Sequence, residues 1–185
     1  MTDTKPDRDV VAAQIDREPR APVDVVARCH LGLPVVIEVP PRLDDGTPFP
    51  TLYWLTCPLA VRRIGRVEAA GGVRLAEQRT AADPDLARRH DAAMARYAAQ
   101  RELRIDPTST GPRPRGGVGG ASAGIKCLHA HYADHAAGND NPTGEWVAPD
   151  VEPLNCTEPC VAQVAGTVMR NPQWREPTRA SSTEY

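Results

Sequence analysis

Apolar and polar positions change period several times along the chain, and those changes divide it into elements. Residues 10–17 (Val-Val-Ala-Ala-Gln-Ile-Asp-Arg) read as a short helix, with Asp9 as a cap and Pro19 and Pro22 as its stop. Three strand-like runs follow, at 23–28, 34–39 and 51–56, the second built on the β-branched series Val35-Val36-Ile37. Turn chemistry at Asp44-Asp45-Gly46-Thr47-Pro48 joins the last two, so antiparallel pairing is the simplest geometry. Residues 59–70 read as a helix ended by Gly71-Gly72, and 73–78 as a short strand or extended link. The longest helical pattern runs over 83–104, where Leu86, His90, Met94, Tyr97 and Arg101 recur at spacings of three and four.

A Gly/Pro-rich loop at 106–123 leads into a helix opening at Lys126-Cys127 and ended by Gly138. Residues 145–148 continue as helix or strand, and 161–169 are an apolar stretch. From Asn171 the chain is polar and Pro-containing, which reads as a disordered tail. The expectation is an α+β protein. A small antiparallel three-stranded sheet packs with about four helices in one domain over 10–170, between a flexible 1–9 and a tail at 171–185.

Composition narrows the class. With 185 residues, 41% hydrophobic and 25% charged, the chain is long enough for one real core. A net charge of -2 and 4% aromatics give neither a basic groove nor stacking platforms, so nucleic acid is not an expected partner. No apolar run approaches the ~20 residues that span a bilayer, and residues 1–20 hold no apolar leader segment. The expected location is the cytoplasm, away from membranes. There, five cysteines point to metal binding, catalysis or plain burial rather than to disulfides.

Ligand-type residues sit in four pieces: Cys29-His30, Cys57, Cys127 with His129 and His131, and Cys156 with Cys160. If strands one and three both pair antiparallel with strand two, they run the same way. Cys29 and Cys57 then end on the same edge of the sheet. Cys127 and His131, four apart on a helix, share a face, while His129 points elsewhere. Zinc takes four Cys or His ligands, so Cys29, Cys57, Cys127 and His131 form the expected set, with His129, Cys156 and Cys160 as lesser candidates. An iron–sulfur cluster on the thiols, buried unreactive cysteines without any cofactor, and a catalytic Cys127 thiolate are the alternatives. His90 stands alone and reads as a surface or half-buried helix residue. The glycine loop offers an anion nest with Arg113, Arg115, Ser122 and Lys126 as donors, against the alternative of a flexible connection; neither nucleotide-loop motif is met.

Three segments resemble a known family. Arg28-Cys29-His30-Leu31-Gly32-Leu33-Pro34, Pro48 through Pro58, and Ile125-Lys126-Cys127-Leu128-His129-Ala130-His131-Tyr132-Ala133 with Asn141-Pro142-Thr143-Gly144 are similar to the bacterial family catalogued as domain of unknown function 501. The family motif commonly has a histidine where this chain has Asp134, with His135 one position later. The resemblance implies no activity. Its gene neighbourhood, beside a septum-formation protein, enolase and an exopolyphosphatase-like enzyme, points towards a cell-division or phosphate-metabolism partner.

The leading expectation is therefore a cytoplasmic zinc-binding protein whose metal joins the sheet edge to a Cys/His helix. One rival is a metal- or thiol-dependent enzyme acting on a phosphorylated or acyl substrate, with Cys127 or a metal-bound water as the reacting group and His129 as acid/base. The other is an adaptor for the division machinery using the helix at 85–104.

Overall fold

In the computed structural model, which describes residues 5–178, the sheet has the order β1-β2-β3 and is antiparallel throughout. Helix α1 (Lys5–Ile15) precedes β1 (Asp24–Arg28), β2 (Pro34–Glu38) and β3 (Tyr53–Leu55). Ala27 pairs with Val36 and Val36 with Leu55, so β1 and β3 run the same way on either side of β2. The central strand is buried on both faces, as its run of β-branched residues requires. Val36 joins the main core, while its neighbour Ile37 points into a second cluster with Val11, Val23, Val39 and Leu43 beneath α1.

The main core is closed by five more helices: α2 (Pro58–Ala69), α3 (Gly72–Ala82), α4 (Pro84–Glu102), α5 (Leu128–Ala136) and α6 (Pro142–Val151). Pro58 opens α2 where its missing N–H costs nothing. Asp83 caps α4 by accepting from the Asp85 and Leu86 N–H groups, and Asn141 caps α6 through Gly144 N–H. A final hairpin, β4 (Val161–Val164) and β5 (Thr167–Arg170), turns at Ala165-Gly166 with positive φ at both residues and lies along α1.

The α+β class and the three-stranded antiparallel sheet are as the sequence predicts. Among the described residues there are six α-helices rather than about four. Residues 73–78 belong to α3, because Gly71 in the left-handed region breaks α2 and lets the chain restart as a helix at once. There Gly72 is required by close approach: a Cβ would stand 2.6 Å from the Val67 side chain and 3.1 Å from Leu128. Helix α1 starts at Lys5, ahead of the expected cap Asp9, which lies inside it; the rest of the expected N-terminal segment, residues 1–4, is outside the described residues.

Residues 171–178 pack back over α2, where a tail was expected. Trp174 is buried in the main core and Glu176 pairs with Arg66. Arg63 explains how that stretch is held. Its buried guanidinium donates to the carbonyls of Val151 (2.6 Å), Pro153 (2.7 Å) and Pro177 (3.5 Å) and to Asn155 Oδ1 (3.4 Å). Residues 179–185 lie outside the described residues. No helix among the described residues is long and apolar enough to cross a membrane.

Candidate metal centre

Two ordinary turns of backbone bring the first two thiols together. Cys29 begins the β-turn between β1 and β2, where Gly32 N–H donates to the Cys29 carbonyl at 2.9 Å with Gly32 at a φ of 75°. Cys57 follows β3 and is the N-cap residue of α2. Because β1 and β3 are parallel, both cysteines leave the sheet at the same edge. Between them lies a narrow cavity with a free volume of about 10 Å³.

Two further thiols line that cavity. Cys156 and Cys160 reach it from the loop between α6 and β4. Arg63 fixes the start of this loop, and His30 Nε2 lies 3.0 Å from the Cys156 carbonyl. At its end, Asn171 N–H donates to the Cys160 carbonyl at 3.0 Å, and the Asn171 amide donates to Pro159 O at 2.9 Å. The remaining wall is apolar apart from Gln14 of α1. All four thiols are free, and no three His, Cys, Asp or Glu side chains among the described residues stand as a ready-made chelating group.

N–H donors face three of the four sulfurs. The Trp174 indole Nε1–H donates to Cys156 Sγ at 3.4 Å, and Gln14 Nε2–H to Cys160 Sγ at 3.5 Å. At Cys57, the Ala60 and Leu59 N–H groups of the α2 N-terminus favour the thiolate. Burial opposes them and dominates. The Cys57 thiol is pushed up to about 12, by burial first and also by the nearby Cys160 and Cys156. Cys160 is raised as well, chiefly by burial, with Cys156 and Cys29 adding to it. Burial thus holds Cys57 and Cys160 as neutral thiols against the N–H groups that favour their thiolates.

A model of a family of proteins of unknown function, DUF501, matches residues 25–149. The chain belongs to the DUF501 family. No curated protein and no solved structure matches it. The DUF501 segment contains Cys29, Cys57, Cys127, His129 and His131, whereas Gln14, Cys156, Cys160 and Trp174 lie outside it.

The other expected DUF501 ligands stand elsewhere. The cavity lining contains Cys29 and Cys57 but neither Cys127 nor His131. Helix α5 begins one residue late, at Leu128, so Cys127 is an extended N-cap residue and the helical i, i+4 argument does not hold for it. Its surroundings are Glu68, Lys126 and the Gly119 backbone. The Ala130 and His129 N–H groups and Lys126 favour its thiolate, yet burial, with Glu68 adding to it, raises the thiol above its ordinary value. That is the reverse of the lowering expected at a helix N-terminus.

His129 has both ring nitrogens facing acceptors: Nδ1 lies 3.1 Å from Glu68 Oε1 and Nε2 lies 3.2 Å from Val61 O. Glu68 also receives the Leu128 N–H at 2.6 Å, capping α5 from a neighbouring helix. His131 is buried beside Asn141 and His90. His90 is itself buried rather than at the surface or half-buried, because α4 turns it onto the His131 ring.

The glycine loop is folded on itself. Gly117 N–H donates to Ala121 O, Gly120 N–H to Gly117 O and Ala121 N–H to Val118 O, while Val118 N–H meets Met94 Sδ. Those donors are therefore engaged within the protein. Arg113 pairs with Glu102, Lys126 donates to Gly119 O at 3.3 Å, and Arg115 and Ser122 are exposed. The four expected anion ligands do not converge on a nest of N–H groups. Cys156 and Cys160, lesser candidates in the sequence, line the cavity; their spacing was the signal they carried. Gln14 and Trp174 had none.

Proposed function

We propose that this DUF501 protein binds zinc in a structural tetrathiolate centre formed by Cys29, Cys57, Cys156 and Cys160. The observation that carries the reading is the shared cavity: thiols from a β-turn, a helix N-cap and a distant loop line a single small space.

Zinc accounts for the raised thiols. An ion of charge +2 reverses the penalty that burial places on the thiolates, and binding expels their protons. The N–H donors from Trp174, Gln14 and the start of α2 then act as the outer layer that orients sulfur ligands. A free volume of about 10 Å³ has room for a single ion. In this centre, Cys156 and Cys160 replace the expected Cys127 and His131. Five free cysteines fit a reducing compartment, so the reading includes a cytoplasmic location.

Elemental analysis of purified protein tests this. One zinc per chain is expected, lost in Cys57→Ser and Cys156→Ser and kept in Cys127→Ser and His131→Asn. Metal-free wild-type protein after zinc supplementation, or a content that follows Cys127 instead, sinks the proposal.

A further inference from the structure

A second cavity shares one wall with the thiol site. It is an open cleft with a free volume of about 420 Å³, between the C-terminal end of α1, the end of β3, the start of α2 and the last residue of β5. Its floor is apolar, with Leu55, Pro58 and Val61, and three arginines line it: Arg17, Arg62 and Arg170. No acidic side chain does.

Those arginines hold no carboxylate, a state they share with Arg42, Arg79 and Arg101 elsewhere in the fold, and the charge of Glu176, which Arg66 holds, also reaches Arg62. Arg20, Arg28, Arg66, Arg89, Arg104 and Arg113 each hold a carboxylate. Among the described residues, no carboxylate lies within ion-pair distance of Arg17, Arg62 or Arg170. Instead they are braced by neutral groups. The Arg17 guanidinium lies 4.8 Å over the Trp54 ring and that of Arg62 5.0 Å over Trp174, while Arg170 donates to the Gln14 carbonyl at 2.8 Å. Asp9, Asp16 and Glu18 line a neighbouring cleft between α1 and the hairpin, not this one.

A separate observation points to a missing partner. Gln14 is buried and lines both the thiol cavity and this cleft. Its Nε2 is committed to Pro34 O and Cys160 Sγ, yet its Oε1 has no donor. An unpaired buried acceptor is costly. An ordered water that donates both to this oxygen and to a bound anion removes that cost.

We propose that this cleft binds a small phosphate monoester. Three guanidiniums match the charge and the several acceptor oxygens of a phosphoryl group, whereas a carboxylate offers one charge and two oxygens. The ester's apolar part lies on Leu55, Pro58 and Val61, and the volume falls in the range of small-molecule sites.

Calorimetric titration of the full chain with phenyl phosphate, and with benzoate as the carboxylate control, tests the assignment. Phenyl phosphate binds saturably and benzoate at least about tenfold more weakly, as the loss of one charge-assisted bond implies. Arg17→Ala and Arg170→Ala each weaken phenyl phosphate about tenfold or more on the same grounds, while Arg88→Ala, on the exposed face of α4, changes nothing. Arg62→Ala and Arg62→Gln both remove the Trp174 contact, so the test is read from Arg17 and Arg170. Absence of saturable binding, equal affinity for benzoate, or equal losses in Arg88→Ala overturns the proposal. Persistence of binding in Cys57→Ser separates it from the fate of the metal centre.

Discussion

His131 lies flat against His90, with ring centroids 5.5 Å apart and planes inclined by 23°. The hydrogen bonds around them fix one tautomer. Asn141 Oδ1 accepts from Gly144 N–H while its Nδ2 donates to Asp134 Oδ2, so His131 Nδ1, 3.0 Å from Asn141 Oδ1, carries the proton. His131 Nε2 is then a bare lone pair, buried and without a donor, and His90 Nδ1 is also unpartnered.

Acid sensitivity follows from this pair. Burial lowers His131 to about 4, with His90 adding to the depression against the Asn141 hydrogen bond; burial also lowers His90, against Asp91 and the Gly124 backbone. Between about 6.5, the ordinary histidine value, and about 4, the unfolded chain binds more protons than the folded one, so stability rises with pH through that window. As pH falls from 6.5 towards 4, on the order of 3 kcal/mol should be lost. Melting temperatures across that range check it, and His131→Asn should flatten the slope.

Of the described glycines, Gly144 leaves the least room for a side chain. A Cβ there would stand 2.3 Å from the His131 carbonyl oxygen and 2.5 Å from His135 Cβ, both on α5. Gly144→Ala must push α6 off α5, at a cost of about 1–3 kcal/mol or more. Denaturant unfolding measures it, and a change within error would show that the two helices give way freely.

Tyr97→Phe should cost about 1–3 kcal/mol for each orphaned donor. The Tyr97 hydroxyl accepts the Leu52 N–H at 2.6 Å and the Tyr53 N–H at 3.2 Å, both buried and just where β3 begins. Hydrogen exchange at those two amides should accelerate together in the variant.

Trp174 links the C-terminal segment to the thiol cavity. Trp174→Ala removes a buried indole, the Arg62 stacking contact and the donor to Cys156, and should destabilise by about 3–5 kcal/mol. Trp174→Phe keeps most of the packing but not the N–H. With zinc in the site, it should weaken metal retention against a chelator more than it lowers the melting temperature.

The sheet was legible because alternation and turn residues are local signals, and strand polarity alone carried Cys29 and Cys57 to one edge. Helix α3 was not. Its sequence has only Gly72 and Ala76 buried, too narrow a face to announce a period. The error at Cys127 came from a single residue: an extended N-cap rather than a first helical turn. Cys156 and Cys160 reach the site through Arg63 and Asn171, and Trp174 is buried from a stretch that looks polar throughout. The Arg63 closure depends on partners 88 to 114 positions away, which no short window reads.

Arg63 finally says something about time. Its partners lie 88 to 114 positions further along the chain, so a nascent protein emerging from the ribosome makes the first two sulfurs long before the last two exist. Ordering by such distant contacts comes late. During that interval the Arg63 guanidinium has nothing to grip, and the four sulfurs meet only after residues 151–160 have followed.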